Sequence, residues 1–261
     1  MRRIDYHTHT CFSPDAISQP EEHILEAIHK GLDEICFTDH NDFVEGGEWE
    51  LKAADYFQAL LPLKEKYKNQ IKVKIGIEVG LDMKSKEKTE KLIHAYPFDF
   101  VIGSIHTIDL CDFAAEESYF EGKTKQQFHS EYFKAMKECV ESFDCFDVLG
   151  HLDYVRRYGP YKDSSIDYDL HQDIIDEIFQ ILIKKGKGIE INVSGFKQFG
   201  EGLPNYHEAK RYYELGGRIF TMGTDSHQAS DVGRYIDEAI DMYQPIGFHD
   251  ITTFTQRQKD E

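Results

Sequence analysis

Basic side chains are scarce in this chain: 30 lysines and arginines stand against 48 aspartates and glutamates, a formal charge of -18 over 261 residues. Such a surface repels phosphate backbones at long range, so nucleic acid is not expected as a partner. Paired cysteine is lacking too. Cys11, Cys36, Cys111, Cys139 and Cys145 are odd in number and contain no CxxC pair, which argues against a disulfide framework and against a thiolate zinc site. No apolar run approaches the roughly eighteen residues of a membrane-crossing helix, and no basic leader with an apolar stretch precedes the first strand-like run. The expectation is a soluble, cytoplasmic protein without a membrane partner. Repeats, low-complexity tracts and linkers rich in Pro, Gly or Ser are missing as well, so residues 1–261 are expected to form one domain.

What is present is an alternation. Seven short runs rich in Val, Ile or Phe read as strands: Arg3 to His9, Glu34 to Asp39, Val73 to Leu81, Phe98 to Ile105, Asp147 to Leu152, Gly188 to Ser194 and Arg218 to Thr224. Helical patterns lie between and after them: Glu21 to Lys30, Glu48 to Lys68, Lys86 to His94, Lys125 to Glu141, His171 to Lys185, Tyr206 to Leu215 and Gly233 to Met242. Three of these helices close on glycine, at Gly31, Gly186 and Gly216, where a left-handed residue ends the helix. Pro20 and Pro204 stand where a helix begins and needs no backbone donor. Repeated βα units with continuous apolar strands imply a parallel sheet covered by helices. An open doubly wound sheet would carry a Gly-rich turn after its first strand, and His9-Thr10-Cys11-Phe12 is nothing like one. A barrel fits better, and seven strands make it an irregular one.

The strand ends carry the chemistry. Ile4-Asp5-Tyr6-His7-Thr8-His9 puts two imidazoles one residue apart, on the same side of an extended chain. Asp15 follows on the next loop. His40 ends the second strand, Glu78 the third, His106 the fourth and His151 the fifth, with Asp225 and His227 after the seventh. Barrel enzymes keep their active sites at this C-terminal end, and the longer loops 109–124 and 154–168 should cover it. Nine imidazole and carboxylate groups exceed what one ion takes, so two or three divalent ions sharing ligands are expected; an N/O set without sulfur suits Zn, Mn or Fe.

In this order His7-Thr8-His9, Asp15, Thr38-Asp39-His40, Glu78, Ser104-Ile105-His106, Gly150-His151 and Asp225-Ser226-His227 resemble the polymerase and histidinol phosphatase (PHP) family of metal-dependent phosphoesterases, over nearly the whole chain. The resemblance implies an α/β fold, a distorted (β/α)7 TIM-like barrel. It also implies one ion on His7, His9, Glu78 and Asp225, a second on Glu78, His106 and His151, and a third on Asp15, His40 and His227. Within the family, a free-standing acidic chain with Asp153-Tyr154-Val155-Arg156-Arg157-Tyr158-Gly159 after the fifth strand resembles the members that hydrolyse L-histidinol phosphate in histidine biosynthesis.

Monoester hydrolysis then follows a physical outline. Clustered divalent ions neutralise phosphate oxygens and acidify a bridging water, so that hydroxide attacks phosphorus in line. The departing alcohol takes its proton from Asp225 or His227. Arg157, its neighbour Arg156, and Lys197 are the candidates for gripping phosphate. Asp42, Glu116 and Glu117 are the candidates for the ammonium and imidazole of a small-molecule substrate. Alternatives are a PHP-type phosphoesterase acting on another small ester or a nucleic-acid end, a barrel deaminase or amidase, and a metal-binding regulatory domain without turnover. Barrel deaminases commonly use a bridging lysine, and Glu78 stands at that position here.

Overall fold

The computed structural model describes residues 1–44, 46–248 and 250–260. Seven parallel strands follow one another around a ring: β1 Ile4–Thr8, β2 Glu34–Phe37, β3 Lys72–Gly80, β4 Phe100–Ser104, β5 Val148–Leu149, β6 Gly188–Asn192 and β7 Phe220–Gly223. Each pairs with the next in register, for example Ile35 with Val73 and Ile77 with Val101. The ring closes between β7 and β1, where Asp225 N–H donates to His7 O at 2.8 Å and His9 N–H to Ser226 O at 2.8 Å. This is the distorted seven-stranded α/β barrel implied by the motif order.

Outside the strands lie α1 Pro20–His29, α2 Ala53–Tyr67, α3 Lys86–Ala95, α4 Lys125–Ser142, α5 Tyr168–Lys184, α6 Tyr206–Glu214 and α7 Ile236–Tyr243. Side-chain caps set several of their starts. Asp167 Oδ1 accepts from Leu170 N–H at 3.2 Å, which begins α5 three residues earlier than its apolar pattern indicates. Asn205 likewise caps α6 through Glu208 N–H at 3.0 Å, so Pro204 lies outside the first turn. α2 begins five residues later than expected because residues before it form a loop, with Leu51 N–H on Asn41 Oδ1 and Asp42 N–H on the carbonyl of Trp49. Gly31 and Gly186 both sit at φ +67, as the helix-ending turns require.

Two irregularities shape the C-terminal rim. The ladder between β1 and β2 slips between Asp5 and Thr8. β2 stops at Phe37, and the chain pairs with β3 again only at His40–Asn41, opposite Glu78 and Val79. The opposite end is covered by a segment that lacks a readable sequence pattern: a hairpin of Phe254–Thr255 and Gln258–Lys259. Lys74, 7% exposed, reaches from β3 to Phe254 O at 2.7 Å and Thr255 Oγ1 at 2.5 Å, and lies 3.5 Å from the buried Glu34. Arg257 joins it through Asp147 at 3.0 Å, and Phe254 packs 5.1 Å from Phe100.

Removing Lys74 takes the cation from the buried Glu34, which keeps the Tyr6 hydroxyl, and takes the donor from the carbonyl of Phe254, a loss of about 3 kcal/mol. Lys74→Met is therefore expected to lower the unfolding free energy of zinc-loaded protein in urea by that amount, and an unchanged value would show that the Lys74 anchor contributes no stability.

Candidate metal centre

The nine strand-end residues converge. Glu78 is fully buried at the centre of the group. Its Oε2 lies 3.3 Å from His7 Nε2, 3.5 Å from His9 Nε2 and 2.9 Å from His40 Nδ1; its Oε1 lies 3.3 Å from His106 Nε2 and 3.0 Å from His151 Nε2. Asp225 Oδ1 faces His7 and His9 at 3.6 and 3.4 Å. Asp15 bonds His227 Nε2 at 2.9 Å and lies 3.8 Å from His40 Nε2. The rings of His9 and His40 stack at 4.0 Å, and those of His9 and His227 at 4.4 Å.

Local structure makes this convergence possible. The break in β2 turns His40 inward, and Ser13 Oγ accepts the His40 N–H at 3.0 Å while donating to Asp39 at 2.8 Å. Asp225 occupies φ +54, a left-handed conformation uncommon for a residue with a side chain, and its N–H is held by His7 O. Gly80 allows Asp42 its place, since a Cβ there would fall 2.0 Å from Asp42 Oδ1.

On four of the rings the outward-facing nitrogen is occupied, and that orients the inward one; the Nδ1 of His151 has no partner among the described residues. His7 Nδ1 meets Glu190 Oε1 at 2.5 Å, His106 Nδ1 meets Asp42 Oδ1 at 2.9 Å, His9 Nδ1 meets Ser13 Oγ at 3.2 Å, and His227 Nδ1 meets the carbonyl of Asp225 at 2.9 Å. A ring that donates through Nδ1 presents a lone pair at Nε2. His7 Nε2, His9 Nε2 and Glu78 Oε2 are buried and find no hydrogen-bond partner among the described residues. Lone pairs held this close are satisfied by a cation between them, whether a proton on a ring or a metal ion. The donor set therefore fits bound metal, with His7, His9 and Asp225, and His9, His40 and His227, each close enough to share an ion.

The charges respond to one another. Burial alone would lower the His7 pKa, but Glu190, Glu78 and Asp225 outweigh it and lift His7 well above the ordinary histidine value. Burial and the neighbouring His40 and His227 drive His9 well below it. Burial would raise Glu78 and Asp225, yet the imidazoles around them hold both far below the carboxylate range. His227 rises to about 9 against its own burial, chiefly through its hydrogen bond with Asp15, which itself falls to about 2.

The remaining candidates separate. Arg157 donates to Asp225 Oδ2 at 3.1 Å and to Ser194 Oγ, beside the centre. Arg156 does not join it: the 3-10 turn Tyr154–Arg157 sends it to Asp153 at 3.0 Å and Glu201 at 3.2 Å, with its guanidinium over Phe199. Lys197 lines a cavity of about 180 Å³ together with Asp225, His227 and Arg234. Asp42 is buried with Oδ1 on His106 Nδ1 at 2.9 Å, and it also lines the cavity over the centre. Glu116 is exposed on the loop, and Glu117 lines a neighbouring cavity with Arg157 and Tyr158. The cavity of about 330 Å³ over the centre is lined instead by Asp112, Trp49, Tyr154 and Tyr158, along with Asp15, His40, Asp42 and His106. Glu190, Asn192, Trp49 and Asp112 are absent from the sequence-derived set; only the β6 position of Glu190, inside an apolar run, hinted at one of them.

Comparison with known proteins bears on this geometry. The family profile described as PHP domain matches residues 5–194. A histidinol-phosphatase of Lactococcus lactis subsp. lactis is 39% identical over 268 residues, covering 100% of this chain and 97% of the relative. A probable histidinol-phosphatase of Clostridium acetobutylicum is 35% identical over 244 residues, 92% of each chain. The crystal structure of the Lactococcus lactis histidinol phosphate phosphatase, complexed with Zn, L-histidinol and phosphate, matches with a TM-score of 0.93 at 38% identity, covering 100% of this chain and 99% of that one.

In metal-free protein the raised pKa of His227 makes its stabilisation fully present below about pH 6.5 and lost as pH rises through about 9. The melting temperature of chelator-treated protein is expected to fall across that window, whereas zinc-loaded protein gains, because proton and metal compete for the same nitrogen. Differential scanning fluorimetry from pH 6 to 9.5 checks this; parallel curves with and without zinc would contradict it.

Proposed function

The chain belongs to the PHP domain family, and from that premise we infer that it is a metal-dependent phosphomonoesterase, a histidinol-phosphatase that hydrolyses L-histidinol phosphate to L-histidinol and phosphate in histidine biosynthesis. The observation that carries this reading is the coincidence of the convergent N/O centre with a relative, alike over its full length, that holds zinc, L-histidinol and phosphate. The whole span 1–261 works as one barrel unit. Among the described residues no helix is long and apolar enough to cross a membrane, and the five cysteines are free; both suit an enzyme working in the cytoplasm.

His7, His9, Glu78 and Asp225 would hold one ion, Glu78, His106 and His151 a second, and Asp15, His40 and His227 a third. Zinc is the metal we propose, two or three ions per chain. When bound, such ions neutralise phosphate oxygens and lower the pKa of a water in the pocket. The protein's own residues do the rest. Arg157, held in place by Asp225 and Ser194, offers a guanidinium to the phosphate beside the centre. Lys197 adds a second positive charge from the turn after β6. Trp49, Tyr154 and Tyr158, with Asp112 and Asp42, give the cavity of about 330 Å³ over the centre the aromatic and acidic wall that an imidazole and an ammonium require. Asp225 keeps its oxygens for His7, His9 and Arg157. Delivery of a proton to the departing alcohol therefore falls to the Asp15–His227 pair when two ions are bound, whereas three ions make that pair a ligand set.

The deciding experiment combines metal analysis with kcat/KM on histidinol phosphate, a nucleoside monophosphate and an oligonucleotide. Histidinol phosphate is expected to be preferred by at least about 10²-fold, the discrimination that recognition of substrate polar groups supplies; preference for the oligonucleotide would overturn the assignment. Two zinc ions at full activity would give His227 the proton-delivery role, and three would make it a ligand. In the same assay Arg157→Ala is expected to lose about 10²-fold in kcat/KM with metal content intact. An unchanged kcat/KM would remove Arg157 from the site.

A further inference from the structure

Glu190 belongs to none of the ligand sets above, yet its carboxylate is 1% exposed and engaged on both oxygens. Oε1 lies 2.5 Å from His7 Nδ1, and Oε2 accepts the backbone N–H of His151 at 2.9 Å and approaches Asn192 Nδ2 at 3.3 Å. His7 ends β1 and His151 follows β5, two strands that do not pair with each other. A carboxylate on β6 thus spans the barrel interior and touches one ligand of the first proposed ion and one of the second.

We propose that Glu190 is a positioning residue that couples two of the ion sites, fixing the His7 tautomer and seating the His151 backbone with a single side chain. The other polar neighbour of His7 Nδ1 is Asn192 Nδ2, 3.5 Å away, an amide nitrogen that cannot take the ring proton. Glu190 therefore supplies the acceptor that leaves Nε2 as a lone pair. The residue must accept on both sides, and this is what a carboxylate does and an amide does not. In Glu190→Gln, the amide oxygen can serve His7 only if the NH2 group confronts the His151 N–H. The flipped amide serves His151 and drives the His7 proton onto Nε2, into the ion site. Either orientation disables one ligand, at unchanged side-chain volume.

This inference rests on the metal-centre reading. Its test is a zinc titration of metal-stripped full chain against a chromophoric chelator, for wild type, Glu190→Gln and the neighbouring core variant Ile191→Val, with melting temperatures taken with and without zinc. In Glu190→Gln the two tight zinc equivalents served by His7 and His151 are expected to weaken about 10–100-fold, and the zinc-induced rise in melting temperature to shrink. The mispaired amide is expected to lower the metal-free melting temperature of Glu190→Gln as well, so zinc affinity is the deciding readout, and Ile191→Val should keep it at the wild-type value. A merely structural role would leave zinc affinity at the wild-type value whatever the metal-free melting temperature does, which overturns the proposal. Wild type that binds no zinc would sink the metal reading itself, a distinct outcome. Nitrogen NMR of zinc-loaded wild type gives a check independent of any variant: His7 is expected protonated at Nδ1 and ligated at Nε2, and a proton on Nε2 refutes the assignment.

Discussion

Five imidazoles lie within 3.5 Å of one buried carboxylate, Glu78. Without a metal ion the contacts must be met by protons on the rings, and any charge left uncompensated in low dielectric costs several kcal/mol. Much of the surrounding structure exists to hold this unfavourable group together. The barrel brings strand ends from residues 7 to 227 around one axis, the interruption of β2 turns His40 inward, and the left-handed Asp225 is pinned by a backbone bond to His7. Carboxylates behind two of the rings, Glu190 and Asp42, then decide which nitrogen of His7 and of His106 faces the centre.

The fold and the ligands were legible because both depend on local pattern. A strand end is marked by the change from apolar to polar residues, and histidine is rare enough that its recurrence at those boundaries stands out. The second layer was not legible for the opposite reason. In a chain with 48 acidic residues, nothing local distinguishes Glu190, buried and bonded to a ring, from a carboxylate in solvent. Asp42 shows the same limit: its position after His40 was visible, but the return of Trp49 over it and the reach of His106 are tertiary facts. Arg156 and Arg157 differ only by one step along a 3-10 turn, and that step sends one guanidinium to Asp153 and the other to Asp225.

The hairpin at the far end illustrates a further gap. Its strands are two residues long, too short for any periodicity, and its attachments are the buried Lys74 and the half-buried Arg257, which look like surface charges in the sequence. Lys74 shares its face of β3 with Glu78, four residues on, so one strand carries the anchor of the floor and the hub of the metal centre. The interior thus holds charged groups at both ends, with Tyr6, Phe100 and the glycine at residue 76 between them.

Ring closure has a consequence of its own. His7 and Asp225, which face a common ion position, also form the hydrogen-bonded seam where the last barrel strand meets the first. Bringing together residues more than two hundred positions apart is entropically costly, and a cation gripped from both sides of the join acts on that cost as a long-range crosslink does. With the proposed ion in place, holding metal and holding the ring shut become a single act, carried by residues on the two sides of the join.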